Sequence, residues 1–213
     1  MVVGAFVVAA VLALVDWVGV WRDDDRLRWV GKPGVMVALI VAAVATDGAP
    51  TAVRAWFITA LVLSLLGDVA LLLPDRWFIA GLTSFLLAHL AYIAGMVQLP
   101  LEWSVGALVV PVAVIVIAPT LVRAVRATSP DMVAPVIAYL GVISAMAITA
   151  WCTDEPWLIA AAMAFFSSDA MLGWGRFVTP TRRRRFDRRV AAVAVMVTYH
   201  AAQACFVAWL ATR

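Results

Sequence analysis

Long apolar runs, separated by short charged or Pro/Gly breaks, fill this chain from end to end. Eight of them stand out, at about 1–21, 31–47, 53–73, 77–97, 103–122, 132–151, 157–176 and 190–211. Each is near the roughly 20 apolar residues with which one helix crosses a bilayer core. None alternates polar and apolar residues as a half-buried strand would. The pattern predicts an all-α, polytopic membrane protein: a bundle of eight transmembrane helices in a single integral membrane domain over 1–213. The first run has no basic leader segment and no small-residue cleavage site, so it reads as a retained helix.

Composition agrees. Hydrophobic residues make up 65% of the 213, against roughly 45–50% in an average soluble domain. Charged residues are only 14% and there are two cysteines, which excludes disordered, coiled-coil and disulfide-scaffold chains. The ten tryptophans, from Trp17 to Trp209, fall towards span ends, where an amphipathic ring prefers the headgroup layer.

Charge sets the orientation. Of the 16 Lys and Arg, all but Arg54 and Arg213 lie in the first, third, fifth and seventh loops. By the positive-inside rule those loops are cytoplasmic and both termini lie on the outer side of the cell (inner/plasma) membrane. The basic loops, above all Arg182–Arg189, are then partners for anionic membrane lipids. No nucleic acid is needed to explain the net charge of +3. Cys152 and Cys205 fall where a disulfide is not expected, and no His/Cys cluster suggests a metal or other cofactor.

A charged side chain inside a span costs roughly 2.5–3.5 kcal/mol on insertion scales, so each one marks a site by default. Asp16 lies in the inner part of span 1, and Lys32 opens span 2 at the inner surface. Span 3 carries Ser64, Gly67 and Asp68. His89 and Tyr92, three apart in span 4, share a helical face, as do Tyr199 and Gln203 in span 8. Span 7 carries Ser167, Ser168 and Asp169, and span 8 adds His200. Asp68 and Asp169 fall at similar depth, so spans 3, 4, 7 and 8 are expected to converge on one cavity open to the inner leaflet. Bland roles compete: Asp16 and Lys32 as an interfacial ion pair, and the serines as helix-packing hydroxyls. The two aspartates have no basic partner on their own helices, so their partners must come from elsewhere in the bundle.

Lys32-Pro33, Ser64-Leu-Leu-Gly67-Asp68, Phe85 with His89-Leu-Ala-Tyr92, Ser168-Asp169 and Tyr199-His200-Ala-Ala-Gln203 together resemble the YhhN family of eight-span proteins. The likeness covers nearly the whole chain. Characterised animal members are lysoplasmalogenases, which split the vinyl ether of a lysoplasmalogen into a fatty aldehyde and a glycerophospho-headgroup. The resemblance implies a lysophospholipid substrate and hydrolase chemistry without a metal. Such a bond is hydrolysed by protonation at its β-carbon, and water captures the resulting oxocarbenium ion. That needs one acid and one anion facing the cation, the division of labour of paired carboxylates in glycosidases. The candidate catalytic set is Asp68, Asp169, His89 and Tyr92. The candidate substrate-binding set is Lys32, Ser64, Ser168, Tyr199, His200, Gln203 and Asp16, with Lys32 and the inner arginines placed for a phosphate. Two other readings of the same residues stay open: a proton-coupled small-molecule transporter, and an intramembrane aspartyl protease.

Overall fold

The computed structural model describes residues 1–179 and 185–213. Among them are eight helices long and apolar enough to cross a membrane, which makes this a multi-pass membrane protein. They are α1 (Val2–Arg22), α2 (Asp25–Val44), α3 (Thr51–Leu72), α4 (Phe78–Met96), α5 (Val109–Thr128), α6 (Val133–Cys152), α7 (Pro156–Gly173) and α8 (Arg185–Ala211). Short 3₁₀ turns lead into α4, α5 and α6, and a π-helical turn, Trp174–Val178, extends α7. Arg182, Arg183 and Arg184 of the basic run lie outside the described residues.

The helices match the eight apolar runs, but three overshoot them. α2 begins at Asp25, six residues before its apolar run, because the Asp24 side chain accepts hydrogen bonds from the Arg26 and Leu27 amides. An N-cap of this kind starts a helix regardless of the polarity that follows. α5 runs on through Arg123 and Arg126 to Thr128, and α8 starts at Arg185. Apolar length measures the hydrocarbon layer, whereas hydrogen bonding carries a helix on into the interface.

The even-numbered loops gather at one end of the bundle. Arg213 pairs with Glu155 there, and the Glu102 amide donates to the Cys152 carbonyl at 2.7 Å. At the opposite end Arg176 lies 3.6 Å from Asp75, and Trp21 packs edge-on to Phe186. α8 is the hub, touching α1, α2, α3 and α7. Close approaches depend on small residues. A Cβ at Gly31 would fall 2.5 Å from the Asp16 amide nitrogen, so the glycine lets α1 and α2 meet backbone to backbone. A Cβ at Gly67 would strike the Phe85 ring at 2.7 Å.

The two halves of the bundle differ in filling. Near the even-loop end, Phe57 packs against Phe206 and Trp209, and Tyr92 stacks on Phe206 with centroids 3.8 Å apart. Trp209 is therefore core, 1% exposed, and not a headgroup anchor. Trp17 likewise turns inward, its indole N–H donating to His200 at 3.0 Å. A hydrogen bond to His200 draws Trp17 inward, and packing on Phe57 holds Trp209. Towards the odd-loop end the packing opens into a cavity.

Candidate functional site

The cavity, about 100 Å³, has apolar walls from Phe85, Ile117, Leu121, Val136, Leu140 and Ile143. Lys32, Asp68, Tyr139, Ser168, Asp169 and Tyr199, with Arg176 at its mouth, supply its polar side chains. Asp68 and Asp169, on helices α3 and α7, thus line one space. Both find their partners on other helices.

Asp68 is fully buried. The Lys32 ammonium stands 3.1 Å from Oδ1, and the Tyr199 hydroxyl donates to Oδ2 at 2.6 Å. The Tyr199 ring is held by edge contacts with Phe85 and Phe165. These neighbours satisfy a carboxylate: one cation and one donor, both from outside α3. Lys32 does not open α2 at the surface, as its place in the apolar run suggested. It lies two turns inside the helix, 4% exposed, because α2 starts earlier than its apolar run. Nor is Lys32 within ion-pair distance of Asp16; Asp68 has taken it.

Asp169 has a different environment. The Tyr139 hydroxyl of α6 donates to its Oδ2, and His89 Nε2 stands 3.9 Å from the same oxygen. No Lys or Arg approaches it within ion-pair distance among the described residues. Its side chain keeps 14% exposure while that of Asp68 keeps none. His89 is sealed from solvent, edge-on to Phe165 and Tyr139.

The remaining candidates separate. His89 and Tyr92 share a helical face but not a partner: Tyr92 donates to Gln203 Oε1 at 2.5 Å, within the aromatic half and off the cavity wall. Tyr199 and Gln203 part in the same way. Asp16 and His200 form their own cluster beyond α8, with His200 Nε2 3.9 Å from Asp16 Oδ2. Since Nδ1 accepts from Trp17, the neutral ring carries its proton on Nε2, aimed at Asp16. Ser168 donates to the Val195 carbonyl at 3.0 Å and ties α7 to α8. Ser167 bonds back to Met163 in its own helix, and Ser64 is buried with no hydrogen-bond partner among the described residues. The expected convergence of spans 3, 4, 7 and 8 therefore needs enlarging. α2 and α6 bring the decisive partners Lys32 and Tyr139, and α4 lines the cavity with Phe85 while His89 stands behind Asp169.

Tyr139 escaped the sequence reading. It lies in mid-span 6 with no polar neighbour in sequence. A signal existed: the chain has only three tyrosines, and one far from any span end is out of place in an aromatic belt. Each of the three donates to a polar side chain on another helix.

The YhhN family model matches residues 27–210. Over 175 residues the chain is 32% identical to proteins named Lysoplasmalogenase from Mycobacterium bovis and Mycobacterium tuberculosis. Those alignments take in 78% of this chain and 64% of each mycobacterial one, so the match spans a little under two thirds of their length. Lysoplasmalogenase TMEM86B of Homo sapiens is 28% identical over 190 residues, 86% of this chain and 76% of the human one. No solved structure matches. With its eight membrane-crossing helices, and a family match that leaves out only residues 1–26 and 211–213, the chain belongs to the YhhN family.

Proposed function

We propose that this protein hydrolyses the vinyl ether bond of a lysoplasmalogen-type lysophospholipid, releasing a fatty aldehyde and a glycerophospho-headgroup. The observation that carries this reading is the pair of unlike aspartates on one apolar cavity: Asp68 with a cation and a donor, Asp169 with a tyrosine and a histidine. The names of the relatives support the same reaction.

Asp169 is assigned the acid. Its Oδ2 is occupied by Tyr139, which leaves Oδ1 to deliver a proton to the β-carbon of the alkenyl chain. The double-bond electrons form the new C–H bond, and the positive charge spreads over the α-carbon and the ether oxygen. Asp68, held as carboxylate by Lys32 and Tyr199, faces that charge and takes a proton from the water that adds to the α-carbon. The hemiacetal then collapses: its hydroxyl loses a proton, the C–O bond to glycerol breaks, and the glycerol oxygen is protonated. Returning one proton from Asp68 to Asp169 resets the site. His89 and Tyr139 position Asp169. A proton-sharing aspartyl dyad is less well supported, since Lys32 is committed to one of its two members.

The basic end is assigned to the cytoplasm and the membrane to the cell membrane, on the distribution of Lys and Arg. Both termini are then outside, and a C-terminal reporter active only in the cytoplasm would reject this. The chemistry is tested on purified protein with vinyl ether, acyl and alkyl lysolipids side by side. Aldehyde is expected from the vinyl ether alone. Asp68→Asn and Asp169→Asn should each lower turnover by about a thousandfold while the bundle still assembles. The double variant should be no worse than either single one, because the two carboxyls act as a unit. Near-normal turnover in either single variant would sink the mechanism.

A further inference from the structure

Lys32 was the sequence's phosphate ligand, and its engagement with Asp68 leaves that task open. Past Lys32 and Arg176, which line both spaces, the cavity continues into a vestibule of about 420 Å³ at the odd-loop end. Arg28 of α2, Arg176 of the π-helical turn and Arg188 of α8 line the vestibule, and among the described residues Asp75 is the one acidic side chain in its wall. The Arg176 guanidinium is fixed in place, 3.8 Å over the Phe78 ring and 3.6 Å from Asp75. Arg28 reaches Asp25 only at 3.8 Å, and its buried Nε has no hydrogen-bond partner among the described residues. Arg188 makes no ion pair among them. Three guanidinium groups, drawn from distant parts of the chain, thus face one space with a single carboxylate to balance them. Topology accounts for basic residues at this end, but not for their turning onto one cavity.

A second opening of the cavity, on the α5 side of the same end, is unlike the vestibule. Through Ile117 and Ala170 the cavity meets a groove beside α5, α7 and α8 that Trp174, Phe186 and Val190 line, with Asp187 and no arginine in the described wall. A passage with arginines at one mouth and apolar side chains at the other fits an amphiphile in one orientation. Guanidinium forks bind phosphate oxygens in pairs, with a geometry an ammonium lacks.

We infer that Arg28, Arg176 and Arg188 form the recognition site for the phosphate of the lysolipid headgroup. The glycerol ether linkage then lies over Asp68 and Asp169, and the hydrocarbon chain runs towards Ile117. The inference rests on the reading of the cavity as a lysolipid site, and it makes these arginines the determinants of preference for phosphorylated over neutral glycerol ethers.

The test uses two saturated ethers that the protein cannot cleave: hexadecyl-glycerophosphocholine and hexadecylglycerol, which lacks the phosphate. Their affinities are measured by titration calorimetry on the full chain in a neutral detergent. The phosphorylated ether should bind about tenfold tighter or better, as charge-assisted hydrogen bonds to phosphate require. Arg176→Gln and Arg188→Gln should each bring that ratio towards one by weakening the phosphorylated ether alone. Arg188→Gln, at an exposed position of α8, serves if Arg176→Gln disturbs Phe78. Arg126→Gln, at the same end but off the vestibule, should leave the ratio intact. A wild-type ratio near one overturns the inference, as does equal weakening of both ethers or an Arg126→Gln effect equal to that of Arg188→Gln. In nanodiscs, loss of the preference when phosphatidylglycerol replaces neutral lipid would assign the arginines to bilayer phosphate and overturn it too. Because the probes are not substrates, a preference without vinyl ether cleavage keeps the site and rejects the reaction. Cleavage without a preference does the reverse.

Discussion

Tyr199 and His200 are neighbours on α8, yet they serve two buried carboxylates that differ in almost everything but burial. Tyr199 donates to Asp68, which has an ammonium beside it and lines a cavity. His200 turns the other way towards Asp16, which among the described residues has no hydrogen-bond partner for either oxygen and lines none of the cavities described above. Asp16 and Asp68 are alike in solvent exposure, at 0%. Burial of charge, the signal by which a sequence marks intramembrane sites, therefore does not separate them. Access does: a carboxylate that no substrate can reach acts on its neighbours, and one on a cavity wall can act on a ligand.

The sharpest way to break this contrast is at Lys32. Lys32→Met leaves Asp68 buried without its cation, a loss of about 3 kcal/mol or more. Turnover should fall about a hundredfold with KM changed little, the pattern of an interaction that matters in the transition state. Adding Asp68→Asn to Lys32→Met should restore thermal stability but not activity. A rise in KM at unchanged kcat would instead return Lys32 to the phosphate. Tyr139→Phe comes next. The Tyr139 hydrogen bond strengthens as Asp169 gives up its proton, from about 1 kcal/mol on a neutral carboxyl to about 1.5–3 kcal/mol on a carboxylate, so turnover should drop roughly tenfold while the melting temperature moves less than in Lys32→Met. Full activity in that variant would remove Tyr139 from the acid's support. The smallest effect on turnover is expected on the closed side. Asp16→Asn should keep activity within about threefold and register as a change in thermal stability of about 1–3 kcal/mol, the scale of one buried polar group. A loss as deep as that of Asp169→Asn would erase the distinction between the two clusters.

Particular residues show what could be read beforehand. Asp68 and Asp169 stood out because each charge, set in an apolar run, had no partner on its own helix, which forced partners from other helices. The same logic makes Asp16 a candidate too, in the substrate-binding set and with an interfacial ion pair as its rival role, since it is also a charge in an apolar run. Tyr139 was passed over because a tyrosine in a span carries little transfer cost and so raises no alarm. The apolar run alone places Lys32 at the surface, because it does not register the Asp24 cap that starts α2 six residues earlier. His89 and Tyr92 were paired by helical spacing, yet that spacing holds over a face wide enough for two side chains to reach different helices.

The fold class, the eight spans, the gathering of the basic loops at one end of the bundle and the identity of the polar residues committed to the interior are all legible in the sequence. These follow from local quantities: the transfer free energy of each residue into hydrocarbon, summed over about 20 positions. Only the tertiary structure decided which helix faces which, and so gave Lys32 and Tyr199 to Asp68, Tyr139 to Asp169, and Asp16 to a cluster apart. Inside lipid the hydrophobic effect does not choose helix neighbours, because a lipid tail is as apolar as a leucine. Close contacts such as Gly31 against Asp16 and hydrogen bonds between distant spans make that choice, and the pairing of residues some 130 positions apart, as in Tyr199 with Asp68, leaves no trace in local composition.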